Sequence, residues 1–106
     1  MAITGKEKSG YYLIDVGRNF NSGAFVRIQK AVDTALDAGS TCIVFDLSKC
    51  EHMDSSAIGL LIKLYKRFDP KNFKIGLLKP QPAILNLISI IQLKPLFTIY
   101  NSEEEI

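Results

Sequence analysis

"CIVFDLSKCEHMDSSAIGLLIKLYK", residues 42–66, changes its period halfway along. With Thr41 in front, the run to Leu47 is continuously apolar and β-branched, the pattern of a strand covered on both faces. From Ser55 onward, Ile58, Leu61, Ile62, Tyr65 and Phe68 recur at helical spacing, and Asp69-Pro70 predicts the end of that helix. Between them lies "EHMDSS" (51–56), two carboxylates and two adjacent hydroxyls. Asp54 or Ser55 suits the N-cap, where a side-chain oxygen accepts from backbone N–H groups that the helix leaves unpaired. In an open α/β sheet such a strand-to-helix corner is where ligands and partners dock.

The flanking sequence extends the same alternation. "YYLIDV" (11–16) predicts a strand and residues 2–8 a short edge strand before it. Residues 17–23 read as a loop. Phe25, Ile28, Val32 and Leu36 place a helix from Ala24 that stops at Gly39. "FKIGLL" (73–78) is a strand, "PAILNLISII" (82–91) a helix opened by proline, and "LFTIY" (96–100) a last strand. Ser102 and Glu105 have capping-box spacing, which predicts one short helical turn. The order β-β-α-β-α-β-α-β, with connections long enough for crossovers, predicts an α/β fold with a mixed sheet. With no internal repeat or linker, residues 1–106 are expected to form a single domain.

Bulk composition narrows the function. The chain is 47% hydrophobic and 23% charged, an ordinary globular balance. A net charge of +2 is too small to point to nucleic acid or an anionic membrane, and Lys63, Lys66 and Arg67 read as a solvated helix face. No segment approaches the roughly 20 apolar residues that span a bilayer. "MAITGKEKSG" has no apolar core behind its charges, so no signal peptide is expected and the protein is expected to be cytoplasmic. Cys42 and Cys50 form no C-x-x-C pair and are expected to be reduced and at least half-buried. His52 is the only histidine, with no ligand cluster around it, so neither metal nor cofactor is expected. A serine nucleophile would need a base, and no orienting carboxylate is assigned to His52. Phosphate-loop, dinucleotide and G-x-S-x-G fingerprints are missing, and Glu51 with Asp54 is a weak acid pair. An enzyme is therefore not expected.

Residues 42–66 resemble the STAS domain, specifically the anti-sigma factor antagonists. That family's pattern is an apolar strand, D-L-S, a short turn, then M-D-S-S-G-[LI]-G and a helix. "FKIGLLKPQPAILNLISIIQLKPLFTIYNSEEE" (73–105) follows the family's strand, N-P-x-P turn, apolar helix, L-x-x-x-F-x-I strand and S-x-E-E tail. The resemblance implies a STAS-like mixed sheet of four to five strands with crossover helices packed mainly on one face. It implies that Ser55 is phosphorylated by an anti-sigma factor that is also a serine kinase. Unphosphorylated antagonist binds that kinase and frees the sigma factor; phosphorylated antagonist releases it, and a PP2C-type phosphatase resets the switch. The alternative is a STAS module of a transporter or lipid-trafficking complex, or a signalling scaffold. A homodimer is left open.

The expected partner surface comprises Asp54, Ser55, Ser56 and Ala57, with Gly59, Leu60 and Lys63 on the helix face turned away from the core. Asn21 is expected beside the Ser55 hydroxyl, since Gly17-Arg18-Asn19-Phe20-Asn21 aligns with the family's G-x-L-D loop after one inserted residue. Three departures stand out: Ala57 replaces the family's glycine, Asn21 its aspartate, and Gln92-Leu93-Lys94 its G-L-D. The methyl of Ala57 is expected to narrow the approach of a partner to Ser55.

Overall fold

The apolar run at the head of that stretch becomes the middle strand of a five-stranded sheet. The structure, a computed structural model, describes residues 5–68 and 72–106. Strands β1 (Gly5–Lys8) and β2 (Tyr11–Asp15) form an antiparallel hairpin, with Gly10 at φ 89° in its two-residue turn. The order across the sheet is β1, β2, β4 (Cys42–Asp46), β6 (Lys74–Leu78), β7 (Thr98–Tyr100), and every pairing after the hairpin is parallel. Ile43, Val44 and Phe45 of β4 are fully buried, as their lack of alternation requires.

The three crossover helices are α1 (Ser22–Asp37), α2 (Ser55–Arg67) and α3 (Pro82–Ile90). All contribute to one core cluster, in which Ile28, Leu61 and Ile88 pack with Ile14, Ile43, Phe45 and Leu77 from one sheet face. The opposite face carries a smaller cluster of Val44, Leu78 and Tyr100, with Tyr11, Leu13, Cys42 and Ile106 packed against it. The Tyr100 ring lies on Gly76: a Cβ there would meet the ring at 2.5 Å, so β6 needs glycine at this point. The mixed sheet with helices on one face agrees with the expected architecture.

Several boundaries differ from expectation. The first loop contains a two-residue strand, β3 (Asn19–Phe20), which pairs in parallel with β5 (His52–Met53), and α1 begins at Ser22. Phe20 is fully buried, 6.2 Å from the Phe45 ring, and this anchors a segment too short to show a period. Lys94–Leu96 form a 3₁₀ turn, which shortens the last strand. Glu103–Glu105 form another, but the Ser102 side chain does not cap it; Glu105 instead accepts from the Asn101 N–H at 2.8 Å. The expected helix stop at Asp69-Pro70 lies outside the described residues.

Two helices end in the same way with different residues. After α1, the Ser40 N–H donates to Ala35 O and the Gly39 N–H to Leu36 O, both at 3.0 Å, with Gly39 at φ 81°. After α3, Leu93 donates to Ile88 O at 3.0 Å and Gln92 to Ser89 O at 3.1 Å, with Gln92 at φ 62°. Both are Schellman closures, which need a left-handed residue. Gln92 adopts that conformation against the steric cost of its Cβ. Gln92→Gly should therefore stabilise the protein by about 1 kcal/mol, read as a higher urea midpoint; Gly39→Ala should do the reverse.

The tail is fastened to the hairpin by the Tyr11 hydroxyl, which donates to Glu103 at 2.6 Å, with Lys8 3.8 Å from the same carboxylate. That bond pushes the Tyr11 phenol up to about 12 and holds the Glu103 carboxyl below its usual range. The contribution is full below the unfolded phenol value of 10.0 and is lost as pH rises through about 12. On the acid side it disappears as Glu103 protonates. Tyr11→Phe should lower the denaturation midpoint slightly at neutral pH, and the gap from wild type should close towards both extremes.

Candidate functional site

The site forms where β2 and β4 end side by side. Asp15 and Asp46 are register partners on these strands. Each folds its carboxylate back onto the chain: Asp15 accepts from the Gly17 N–H and Asp46 from the Ser48 N–H, both at 2.9 Å. The two outgoing segments then run together. Arg18 O accepts from Glu51 N at 2.7 Å, β3 pairs with β5, and Phe20 O accepts from Asp54 N at 3.2 Å. This parallel ribbon delivers the starts of α1 and α2 to the same place.

Each helix start has its own cap. Asn21 Oδ1 accepts from Ala24 N at 3.2 Å. Asp54 Oδ1 accepts from Ser56 N at 2.9 Å and Ala57 N at 3.2 Å, while its Oδ2 reaches Ser22 N of the neighbouring helix at 3.4 Å, a long contact. A carboxylate here also suits the positive end of the helix dipole. Asp54 is thus the N-cap, and Ser55 is the first residue of α2, exposed to solvent. Ser56 is half-buried.

Beside Ser55 an open, mainly apolar groove of about 430 Å³ runs between α1 and α2. Phe25 and Val26 supply one wall, Gly59 and Lys63 the other, and Ser22 and Ser56 complete the Ser55 end with Leu60 between the helices. Gly59 and Lys63 are exposed, as expected. Leu60 is not: it is 4% exposed and belongs to the core. Ala57 is likewise buried, so its methyl faces the interior and does not narrow the approach to Ser55. The reason is shared. Helix α2 packs against α1 as well as the sheet, so its fully buried set is Ala57, Leu60, Leu61 and Leu64. Ile58, Ile62, Tyr65 and Phe68, expected at its centre, are partly buried and pack against the core from its margin.

Asn21 also departs from expectation. It does not line the groove at Ser55; it lines a neighbouring basin with Asp15, Gly17, Arg18, Arg27 and Lys49, and its oxygen is committed to capping α1. In that basin Lys49 meets Asp15 and Arg18 meets Glu51, each at 3.3 Å. Glu51 and Asp54 therefore have separate structural tasks. No group of three or more His, Cys, Asp or Glu side chains able to hold a metal occurs among the described residues. Cys42 and Cys50 are free, and burial pushes both thiols up, keeping them protonated. The groove wall from α1 was not anticipated; the one available sign was Val26 at a position outside the apolar stripe of its helix.

A family model described as the STAS domain matches residues 2–106. No curated protein matches the sequence. Among solved structures, the unphosphorylated anti-sigma factor antagonist SpoIIAA is 21% identical with a TM-score of 0.75, covering 98% of this chain and 92% of that one. The phosphorylated form of SpoIIAA, described as a Bacillus cell fate determinant, is 23% identical with a TM-score of 0.74, covering 98% and 95%. An anti-sigma factor antagonist from Mycobacterium paratuberculosis is 17% identical with a TM-score of 0.83, covering 98% and 88%. At these identities the likeness is one of fold.

The caps make a direct prediction. Asp54→Ala should cost about 1–2 kcal/mol in chemical denaturation, since it strands the Ser56 and Ala57 N–H groups, while Asp54→Asn should keep most of that stability. Leu60→Asp should be far more damaging than Lys63→Glu, because only the first places a charge in the core. Equal losses in these two would contradict the burial described above.

Proposed function

The chain belongs to the STAS domain family, and from that premise we propose that it is an anti-sigma factor antagonist whose switch is the hydroxyl of Ser55. The observation that carries this reading is the position of Ser55: the first residue of α2, exposed, beside an apolar groove, with the cap formed by the residue before it. A kinase can reach such a hydroxyl without opening the fold. In its unphosphorylated form the protein binds an anti-sigma factor serine kinase, which releases the sigma factor and so regulates transcription. Once phosphorylated it lets the kinase go, and a PP2C-type phosphatase restores it. The chain acts as a binding partner and substrate, not as an enzyme, as a single cytoplasmic domain.

The physics of the switch follows from the caps. Phosphorylation adds a charge of about −1.5 to −2 at neutral pH. At the first turn of a helix the dipole tolerates that charge. Asp54 already occupies the Ser56 and Ala57 N–H groups, so the phosphate cannot take them without displacing the cap. It remains outside, beside a carboxylate, where a docked partner would have to desolvate it. The fold is retained and the affinity changes. A retained fold is in keeping with this chain's likeness in fold to both the phosphorylated and the unphosphorylated structures of SpoIIAA, with TM-scores of 0.74 and 0.75.

Incubation with candidate anti-sigma factor kinases and ATP, followed by mass spectrometry, should place one phosphate on Ser55. Phosphate on Ser56 alone would reverse the assignment. Ser55→Ala should melt like wild type and hold the kinase persistently, while Ser55→Glu should bind at least about tenfold more weakly, or about 1.4 kcal/mol. Equal affinities of the two variants in a titration would remove Ser55 from the switch.

A further inference from the structure

The wall that α1 gives to the groove points to the chemistry of what binds there. Val26 is 65% exposed; with Ile90 at 70% it is one of two large apolar side chains so exposed among the described residues. A lone exposed valine is unremarkable in any protein surface. Val26, however, is continuous with half-buried Phe25 and with Leu60, and together they make an apolar strip that ends at Ser55. Among the described residues, Lys63 is the only charged one lining the strip, and no carboxylate lines it.

We propose that this groove receives an aliphatic side chain of the partner, flanked by a partner carboxylate that meets Lys63. The inference rests on the antagonist function above and specifies what its partner presents. An apolar contact at the centre with a charge pair at the rim is the arrangement that combines affinity with orientation. It also sharpens the switch. A phosphate on Ser55 stands at the end of the groove, where a partner seated on the apolar strip would have to desolvate it. Groove occupancy and phosphorylation then exclude each other.

The acidic tail of the chain has the right composition, glutamates beside Ile106, but is already used. Glu103 is held by Tyr11 and Lys8, and Ile106 packs on the opposite sheet face. A second copy could offer its tail only by giving up those contacts, which favours a separate partner.

The test uses the full chain and the serine kinase that labels Ser55 of the wild type. Val26→Glu, Lys63→Glu and, as a control on α3, Ile90→Glu are titrated against it by calorimetry, with melting curves and sedimentation for each variant. The expected result is a loss of at least tenfold for Val26→Glu and Lys63→Glu, little change for Ile90→Glu, and unchanged melting in all three. Should Val26→Glu melt early, Val26→Ser takes its place. Restoration of Lys63→Glu binding by a single carboxylate-to-lysine change in the kinase would identify the partner residue. Wild-type affinity of the Val26 and Lys63 variants for a kinase that still labels Ser55 would overturn the groove assignment and leave the antagonist function standing. Failure of every kinase to bind or label the wild type would remove both. A wild-type dimer that Val26→Glu dissociates would make a second copy the occupant and overturn the proposed partner.

Discussion

The carboxylate of Asp54 sets the geometry on which the groove depends. One oxygen satisfies two N–H groups at the start of α2, and the other reaches the first N–H of α1. Its own backbone N–H donates to Phe20, which is itself locked into the core over Phe45. A short side chain with two acceptor oxygens can do this only if both helices begin within its reach. The β3–β5 ribbon provides that condition by bringing the two incoming segments into register. The ribbon and the Asp54 contacts together hold the starts of α1 and α2 side by side near Ser55, where the groove opens.

At the same end of the molecule the acidic side chains are taken up by structural contacts. Parallel strands bring Asp15 and Asp46 together as register partners at the end of the sheet. Here each carboxylate closes its own turn, Lys49 sits on Asp15, and Glu51 meets Arg18. The acidic groups are used to shape loops. What they shape is a surface that presents a serine hydroxyl, an apolar strip and one lysine. Such a surface gains affinity by excluding water and loses it when charge is added at its edge.

Much of the fold was legible because its causes are local. A buried strand within 41–47, a helix stop at Gly39 and a cap at Asp54 or Ser55 each follow from residue type and spacing over a few positions; the structure selects Asp54. The hydroxyl to examine, Ser55, could be located from the same stretch. Other features had no local cause to read. Two-residue strands such as β3 and β5 carry no period, and Asn21 was expected only beside Ser55. Its role as the cap of α1 emerged once the structure placed the helix start at Ser22.

The amino-acid sequence by itself determined the five strands of the main sheet, the three crossover helices and the stop at Gly39, but not the short strands β3 and β5 or the start of α1 at Ser22. Backbone hydrogen bonding, side-chain periodicity and capping act over a few residues, so each leaves its mark in the adjacent sequence. Tertiary structure decided which side of α2 is inside and what stands beside Ser55. Because α2 packs against α1 as well as the sheet, Ala57 and Leu60 turn inward, and Val26, far earlier in the chain, becomes a wall of the same groove. Spacing along one helix records that it has a buried side. It does not record how many neighbours bury it, and that number sets the boundary between core and exposed surface.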